Sequence, residues 1–258
     1  MNAPTTAAHA AYRTEHSAPA QYRSRLALEP ADIAAAQALR FQVFNVELDE
    51  GLVHSYDNGL DADAFDLVCA HLIVEDELSG AVVGTYRMQT GMQAQGGLGY
   101  YSEREFDFAP FEARRTQILE LGRACIDPHH RNFAVLNLLW KGIGAHAREH
   151  GARYLVGCSS LTSQDESVGA AAFLQLSRHV APADRQTLPR PEFACGLTRP
   201  AREAVRIPRL LSAYLTLGAV ICGPPAIDRE FRTIDFLTWI DVESPRLVAV
   251  QSRGRFTA

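Results

Sequence analysis

Thr116-Gln-Ile-Leu-Glu-Leu-Gly-Arg-Ala-Cys-Ile126, then Asp127-Pro-His-His-Arg-Asn132, then the apolar run from Phe133 to Trp140, reads as strand, tight loop and helix. Ile118, Leu119, Leu121, Cys125 and Ile126 give the strand its apolar character, and Glu120 and Arg123 interrupt it. An ion on a buried strand costs several kcal/mol unless it is paired or used. Spacing of three puts the two ions on opposite faces of a regular strand. A bulge at Gly122 brings them together, and an edge strand with a solvated Glu and Arg is the alternative.

Asp127-Pro128 ends the strand, and Val135, Leu138, Leu139, Gly142 and Ile143 mark one face of the helix that follows. A strand that feeds a helix through a short loop collects backbone N–H groups, which suit phosphates and acyl oxygens. Working outward, Ser24 to Leu28 reads as a strand and Pro30 opens a helix whose apolar face runs from Ile33 to Val46 and which carries Arg40. Asp49 to Asp63 is a long acidic loop. Val68–Glu75 and Ala81–Met88 form a hairpin with Arg87 near its end, followed by a Gly-rich loop from Gly91 to Gly99. Tyr154–Ser159 is the next strand, Glu166 to His179 a second helix, and Ala181 to Pro200 a surface excursion. A short helix near Leu210 and strands at Gly218–Gly223 and Asp235–Val242 complete an α/β layer fold with a mixed sheet.

The 258 residues are 47% hydrophobic with a net charge of -5, enough apolar content for one large core or two small ones. A pI of about 6.0 argues against wholesale nucleic-acid binding. No apolar run approaches the roughly 20 residues of a membrane span, because Ser212, Thr216 and Gly218 break the longest one. Residues 1–21 lack a secretory signal and read as a flexible tail ahead of one domain over 22–258. Five widely spaced cysteines, Cys69, Cys125, Cys158, Cys195 and Cys222, fit a reducing cytoplasm better than a disulfide framework.

Leu39-Arg40-Phe41-Gln42-Val43-Phe44, Asp61-x-Asp63-x-x-Asp66, Gly84-Thr85-Tyr86-Arg87, Tyr101-Ser102-Glu103-x-Glu105-Phe106, and Glu120-Leu121-Gly122-Arg123 occur in this order. The set resembles the ornithine lipid N-acyltransferases, a hemolysin-like branch of the GNAT superfamily. Ile207-Pro208, Leu210-Leu211, Tyr214-Leu215, Leu217-Gly218-Ala219 and Asp228 extend the resemblance, which covers roughly Arg25 to Val242. The same skeleton is similar to the autoinducer (acyl-homoserine lactone) synthases. The resemblance implies a GNAT fold and transfer of a 3-hydroxy fatty acyl chain from acyl carrier protein to the α-amine of L-ornithine, giving lyso-ornithine lipid. It implies no metal and no cofactor beyond the acyl donor. Arg131-Asn132-Phe133-Ala134-Val135-Leu136 stands where the usual phosphate loop carries two glycines. Side chains there discourage close wrapping of a CoA pyrophosphate and favour the single phosphodiester of a carrier-protein pantetheine.

Aminolysis of a thioester needs a neutral amine, an aligned carbonyl and a stabilised oxyanion. Glu120, or an acid among Asp61, Asp63 and Asp66, is the candidate base, with Asp66 and Arg123 completing the catalytic set. Arg40, Phe44, Asp61, Asp63 and Arg87 are candidate acceptor-binding residues. Gly122, Ala124 and Cys125 at a bulge, with Arg131, Asn132, Phe133, Ala134 and Val135, are candidates for the acyl donor. A structural ion network among the same Arg and Asp residues competes with this reading. Two other readings stand beside transfer to ornithine: an acyl-homoserine lactone synthase or other long-chain N-acyl amino acid synthase, and an inactive GNAT module that only binds acyl chains.

His146-Ala-Arg-Glu149-His150 matches the inverted zinc-protease motif, but as the last turn before Gly151 it reads as a solvated helix end. Ser159, Ser160 and Cys158 lack a nucleophile elbow. Arg199, Arg202, Arg206 and Arg209 recur at helical spacing, interrupted by Pro200 and Pro208. This basic stripe is either a solvated face or a docking face for an acidic carrier protein or an anionic inner leaflet, which places the protein in the cytoplasm or peripherally at that membrane.

Overall fold

The computed structural model describes residues 21–247, so the tail expected over residues 1–21 lies outside the described residues, Gln21 excepted. The chain begins with β1 (Tyr22–Leu26) and α1 (Pro30–Phe41), which continues directly into a π-helical turn, Gln42–Glu47. After the acidic loop come β2 (Ala70–Asp76), β3 (Val82–Thr90) and α2 (Gly91–Gln95). Then follow β4 (Ile118–Ile126), α3 (Phe133–Glu149), β5 (Tyr154–Leu161), α4 (Glu166–Gln175) and α5 (Arg209–Thr216). The short strands β6 (Val220–Ile221) and β7 (Ala226–Asp228) precede the long β8 (Thr233–Asp241).

Among the described residues all eight strands belong to one sheet, ordered β1-β2-β3-β4-β5-β8-β6, with β7 also paired to β8. Every pairing is antiparallel except β4 with β5, the strands that α3 joins by crossover. Val135, Leu139, Trp140, Ile143 and Ala147 of α3 are buried, in a cluster that also holds Leu72 and Val74 of β2 and Tyr86 and Met88 of β3. A Cβ on Gly142 would meet the Leu72 side chain at 2.6 Å, so that glycine sets the approach of α3 to the sheet. On the other face, Tyr100, Phe106, Phe108, Phe111 and Trp239 build an aromatic cluster.

Three expectations need correction. The Gly91–Gly99 stretch opens as helix α2, because Thr90 and Gln93 form a capping box. The helix expected to reach His179 ends at Gln175, and Ser177–His179 forms a separate 3-10 turn. The basic stripe is not helical: residues 199–207 have no regular structure, and only Arg209 lies in a helix.

Candidate active site

The bulge in β4 is present. Arg87 of β3 pairs with Gly122 and Thr85 with Cys125, so Arg123 and Ala124 together face Tyr86. The extra residue inverts the side-chain alternation. Leu119, Leu121, Ala124 and Ile126 pack toward the α3 side, while Cys125 joins the cluster beside Phe44 and Phe231. Arg123 takes the left-handed conformation (φ 48°) rather than Gly122, where the flexible residue was expected. Its side chain therefore shares the face of Glu120, yet the two do not pair with each other.

Arg123 instead closes a buried ring of six charges. Arg40 meets Asp66 at 2.7 Å and Asp61 at 3.0 Å, and Arg87 meets Asp66 at 3.1 Å and Asp63 at 2.6 Å. Arg123 meets Asp63 at 3.1 Å and Asp61 at 3.2 Å. Signs alternate around the ring and its formal charge is zero, the condition under which buried ions are tolerated. Despite burial, the surrounding guanidinium groups hold Asp63 and Asp66 below the usual carboxylate range. The Arg123 guanidinium also lies over the rings of Phe231 (4.3 Å) and Tyr101 (4.8 Å).

Beside the ring, β4 and β5 diverge. Their parallel ladder holds only from Ile118 to Glu120, against Tyr154 to Val156. Past that point the strands wall a cavity of about 280 Å³, lined by Gly122, Arg123 and Ala124 on one strand and Cys158, Ser159 and Ser160 on the other. A smaller pocket continues from it toward the α3 side, lined by Tyr86, Trp140, Leu155, Tyr214 and Ile240. Glu120 lines the larger cavity. One of its carboxylate oxygens accepts the Tyr101 N–H (2.8 Å), and the other accepts the Ser102 N–H (2.8 Å) and hydroxyl (2.7 Å). Burial raises its pKa, against these hydrogen bonds, which favour the charged form. Three of about four acceptor positions are thus taken, which leaves room for one further donor.

Residues 39–141 match the family model described as an Acetyltransferase (GNAT) domain. A Brucella abortus (strain 2308) protein named L-ornithine N(alpha)-acyltransferase is 35% identical, with 85% of this chain and 84% of that protein covered. A Rhodobacter capsulatus protein of the same name is 31% identical, with 88% and 93% covered. The chain belongs to the L-ornithine N(alpha)-acyltransferase family. Among solved structures, the AHL synthase LasI shares the fold, with a TM-score of 0.54 at 11% identity, covering 91% of this chain and 96% of that one. So does FeeM, an N-acyl amino acid synthase from uncultured soil microbes, with a TM-score of 0.51 at 12% identity, covering 87% and 92%.

Within this acyltransferase frame the expected site residues divide. Phe44, Arg87, Glu120, Gly122, Arg123 and Ala124 line the cavity, whereas Arg40, Asp61, Asp63 and Asp66 stand behind it in the ring. Cys125 is buried among apolar side chains, which push its thiol well above the usual value. Arg131 grips Glu47 through two 2.6 Å contacts, and the Asn132 side chain caps α3 by accepting the Val135 N–H. Phe133 and Ala134 begin α3 and line neither the cavity nor the smaller pocket, and Val135 is core.

His146, expected in solvent, is only 6% exposed, and neither ring nitrogen has a hydrogen-bond partner. His146, Glu149 and His150 do converge within 4.8 Å, a spacing that could hold a metal, but on the last turn of α3 and outside the cavity lining.

Reading the sequence missed an acidic wall made by Glu50, Asp228 and Asp235, with Glu105 behind Cys158. Burial pushes Glu50 up to about 7 and Asp235 up to about 6. It also raises Glu105 well above the usual carboxylate value, with further upward pressure from Asp235 and Asp228. The motif residues Glu105 and Asp228 carried the family resemblance but gave no sign of facing one another.

Proposed function

We propose that the protein transfers a 3-hydroxy fatty acyl chain from acyl carrier protein to the α-amine of L-ornithine. The observation that carries this reading is the two-sided cavity at the point where β4 and β5 part: Arg87 and Arg123 on one wall, Glu120 beside them. The ring fixes both guanidinium groups while turning its own carboxylates away. The cavity therefore receives positive groups suited to an α-carboxylate.

In this mechanism the acceptor ammonium gives its proton to the open position on Glu120, directly or through water. The freed amine attacks the thioester carbonyl, and the C–N bond forms. Backbone N–H groups along the bulged edge from Gly122 to Ala124 hold the oxyanion. The C–S bond then breaks, the new amide nitrogen sheds its extra proton, and the departing pantetheine thiolate takes that proton up. The acyl chain runs through the gap between β4 and β5 into the apolar pocket beside Trp140 and Tyr214. The carrier protein docks on the basic segment that carries Arg199, Arg202, Arg206 and Arg209, which are exposed and make no salt bridge among the described residues. Pro208, Leu210 and Leu211, next to those arginines, line the cavity itself. The same basic segment is the surface that would touch an anionic membrane, and among the described residues no helix is long and apolar enough to cross one.

The test is to incubate the protein with 3-hydroxyacyl carrier protein, a pool of amino acids and S-adenosylmethionine, and to identify products by mass spectrometry. Nα-acyl-ornithine is the expected product. Acyl-homoserine lactone instead would assign the cavity to the synthase chemistry of the structural neighbours, and acyl-CoA as the better donor would overturn the carrier-protein assignment.

A further inference from the structure

Five buried carboxyl groups outside the ring line the cavity or stand just behind it, and no cation pairs with any of them among the described residues. Glu50, Glu105, Glu120, Asp228 and Asp235 are all at most 6% exposed, and none of them forms a salt bridge among the described residues. The six-charge ring is neutral overall, and Arg123 and Arg87 only partly offset the burial that raises Glu105 and Glu120. Buried carboxylates in this position are stable only if they take up protons or receive a cation.

Two further observations point to a ligand. Asp235 is 3% exposed and lines the cavity; its Oδ2 accepts the Thr233 hydroxyl at 3.0 Å, Ser160 and the Glu105 carboxyl lie beside it, and its Oδ1 has no aligned donor. Gln89 is 1% exposed and also lines the cavity, and neither its Oε1 nor its Nε2 has a partner. Orphaned polar atoms on buried cavity walls are what a bound polar molecule satisfies. Gln89 pairs with Glu120 across β3 and β4, and Asp235 lies opposite Ser160 on β5. Ser160 is four residues along β5 from the position paired with Glu120, roughly 13 Å of strand rise. With a carboxylate arm reaching in from each end, that length suits a small molecule with a charged group at both ends.

We propose that Asp235 and Asp228, with Glu50 and Glu105 around them, hold the side-chain ammonium of a diamino acid acceptor while its α-amine lies at Glu120. This rests on the amino acid acyltransferase reading above and adds the residues that choose the acceptor. A neutral amino acid of equal length leaves the acids without a counterion and loses binding, because a site built to pair a group penalises the analogue that lacks it.

The experiment compares L-ornithine with L-norvaline, the same chain without the terminal amine, as acceptors for the full-length protein with 3-hydroxyacyl carrier protein. Binding of each acceptor is measured in parallel by calorimetry without donor. The wild type is expected to favour ornithine in kcat/KM by about 10²-fold, the scale for one charged contact. Asp235→Asn is expected to bring the ornithine-to-norvaline ratio to within about threefold of one, mainly through the ornithine KM. Glu50→Gln, on a separate loop, is a second variant expected to lower the ratio should Asp235→Asn fold poorly. A preference that survives both substitutions overturns the inference and leaves the acyltransferase reading intact, as does a wild type indifferent to the terminal amine. A wild type that acylates neither and binds neither sinks the reading and the inference together. A preference abolished by chelation and restored by Zn²⁺ would assign Glu105, Cys158 and Asp235 to a metal and overturn the ammonium site.

Discussion

Arg123 and Asp61, sixty-two positions apart, meet with Nε 3.2 Å from Oδ2, and the contact exists because the β4 bulge holds Arg123 at a φ of 48°. The Nε of Arg40 reaches the same Asp61 oxygen at 3.0 Å. Neither contact is aligned as a hydrogen bond, so charge proximity holds the Asp61 carboxylate, while its backbone carbonyl accepts from Arg40 and its N–H donates to the Gln37 carbonyl. Asp61 is therefore expected to be among the most costly positions to neutralise. Asp61→Ala leaves two buried guanidinium groups short of charge and should destabilise the fold by about 3–5 kcal/mol. Asp61→Ala combined with Arg40→Met should cost clearly less than the sum of the two single changes. Denaturant midpoints of the four proteins check this, and additive losses would mean the ring is not a coupled unit.

Glu120→Gln should reduce turnover by at least about 10²-fold, the scale for losing a general base. It also turns an amide NH2 toward the Tyr101 or Ser102 N–H, so a stability cost of about 1–3 kcal/mol accompanies it. Ser102→Ala removes the hydroxyl contact to Glu120 but leaves its charge, and serves as the control. If Glu120→Gln loses stability yet keeps its turnover per folded molecule, Glu120 is only a cap for the turn at Tyr101. Arg123→Ala is expected to lose turnover on the same scale, with a larger stability cost because it opens the ring.

Stability should respond to pH in two opposite directions. Asp235 and Glu50 have folded-state pKa values, about 6 and about 7, above their unfolded values, so the native state binds more protons from about pH 4 to 7. Stability from these two therefore falls as pH rises through that window. Asp63 and Asp66 are depressed, so their contribution is present above about pH 4 and is lost as pH falls below it. Burial lowers the pKa of His71 and His146, which gives a contribution of the opposite sign to Asp235 and Glu50, so the informative quantity is a difference. Asp235 faces Ser160, Asp228, Glu105 and Thr233, and Glu50 faces Thr162, Asp235 and Arg232. Subtracting wild-type Tm from that of Asp235→Asn should give a gap that widens in favour of the variant from about pH 4 to about pH 6 and then levels off. A flat difference would show that Asp235 is not raised.

Gly157 should be intolerant of any side chain. A Cβ there would meet the Leu121 carbonyl oxygen at 2.1 Å, immediately past the last paired residues of β4 and β5. Gly157→Ala is expected to force the strands further apart and to lower kcat/KM for the acyl donor more than for the acceptor. Equal effects on both substrates would remove Gly157 from the donor channel.

Reversing Arg202 and Arg206 to Glu should raise the KM for acyl carrier protein several-fold, leave that for the amino acid unchanged, and flatten the salt dependence. Unaltered donor kinetics together with unaltered binding to anionic vesicles would make the segment an ordinary solvated surface.

The sequence by itself determined the strand, loop and helix from Ile118 to Glu149, the β2–β3 hairpin and the acyltransferase family, because each is written in contiguous periodicity or in motifs kept in order. It also placed ions at Arg40, Asp61, Asp63, Asp66, Arg87, Glu120 and Arg123, but left open whether they pair, catalyse or both. Only the tertiary structure decided that. The bulge shifts Arg123 by one position onto the face of Glu120, and a one-residue change of register reverses every side chain beyond it. That shift closes the ring, exposes two of its arginines to the cavity, and leaves Glu120 bound to Tyr101 and Ser102. The acidic wall was illegible for the same reason. Glu50, Glu105, Asp228 and Asp235 come from separate segments, and no local pattern records that burial brings their charges together.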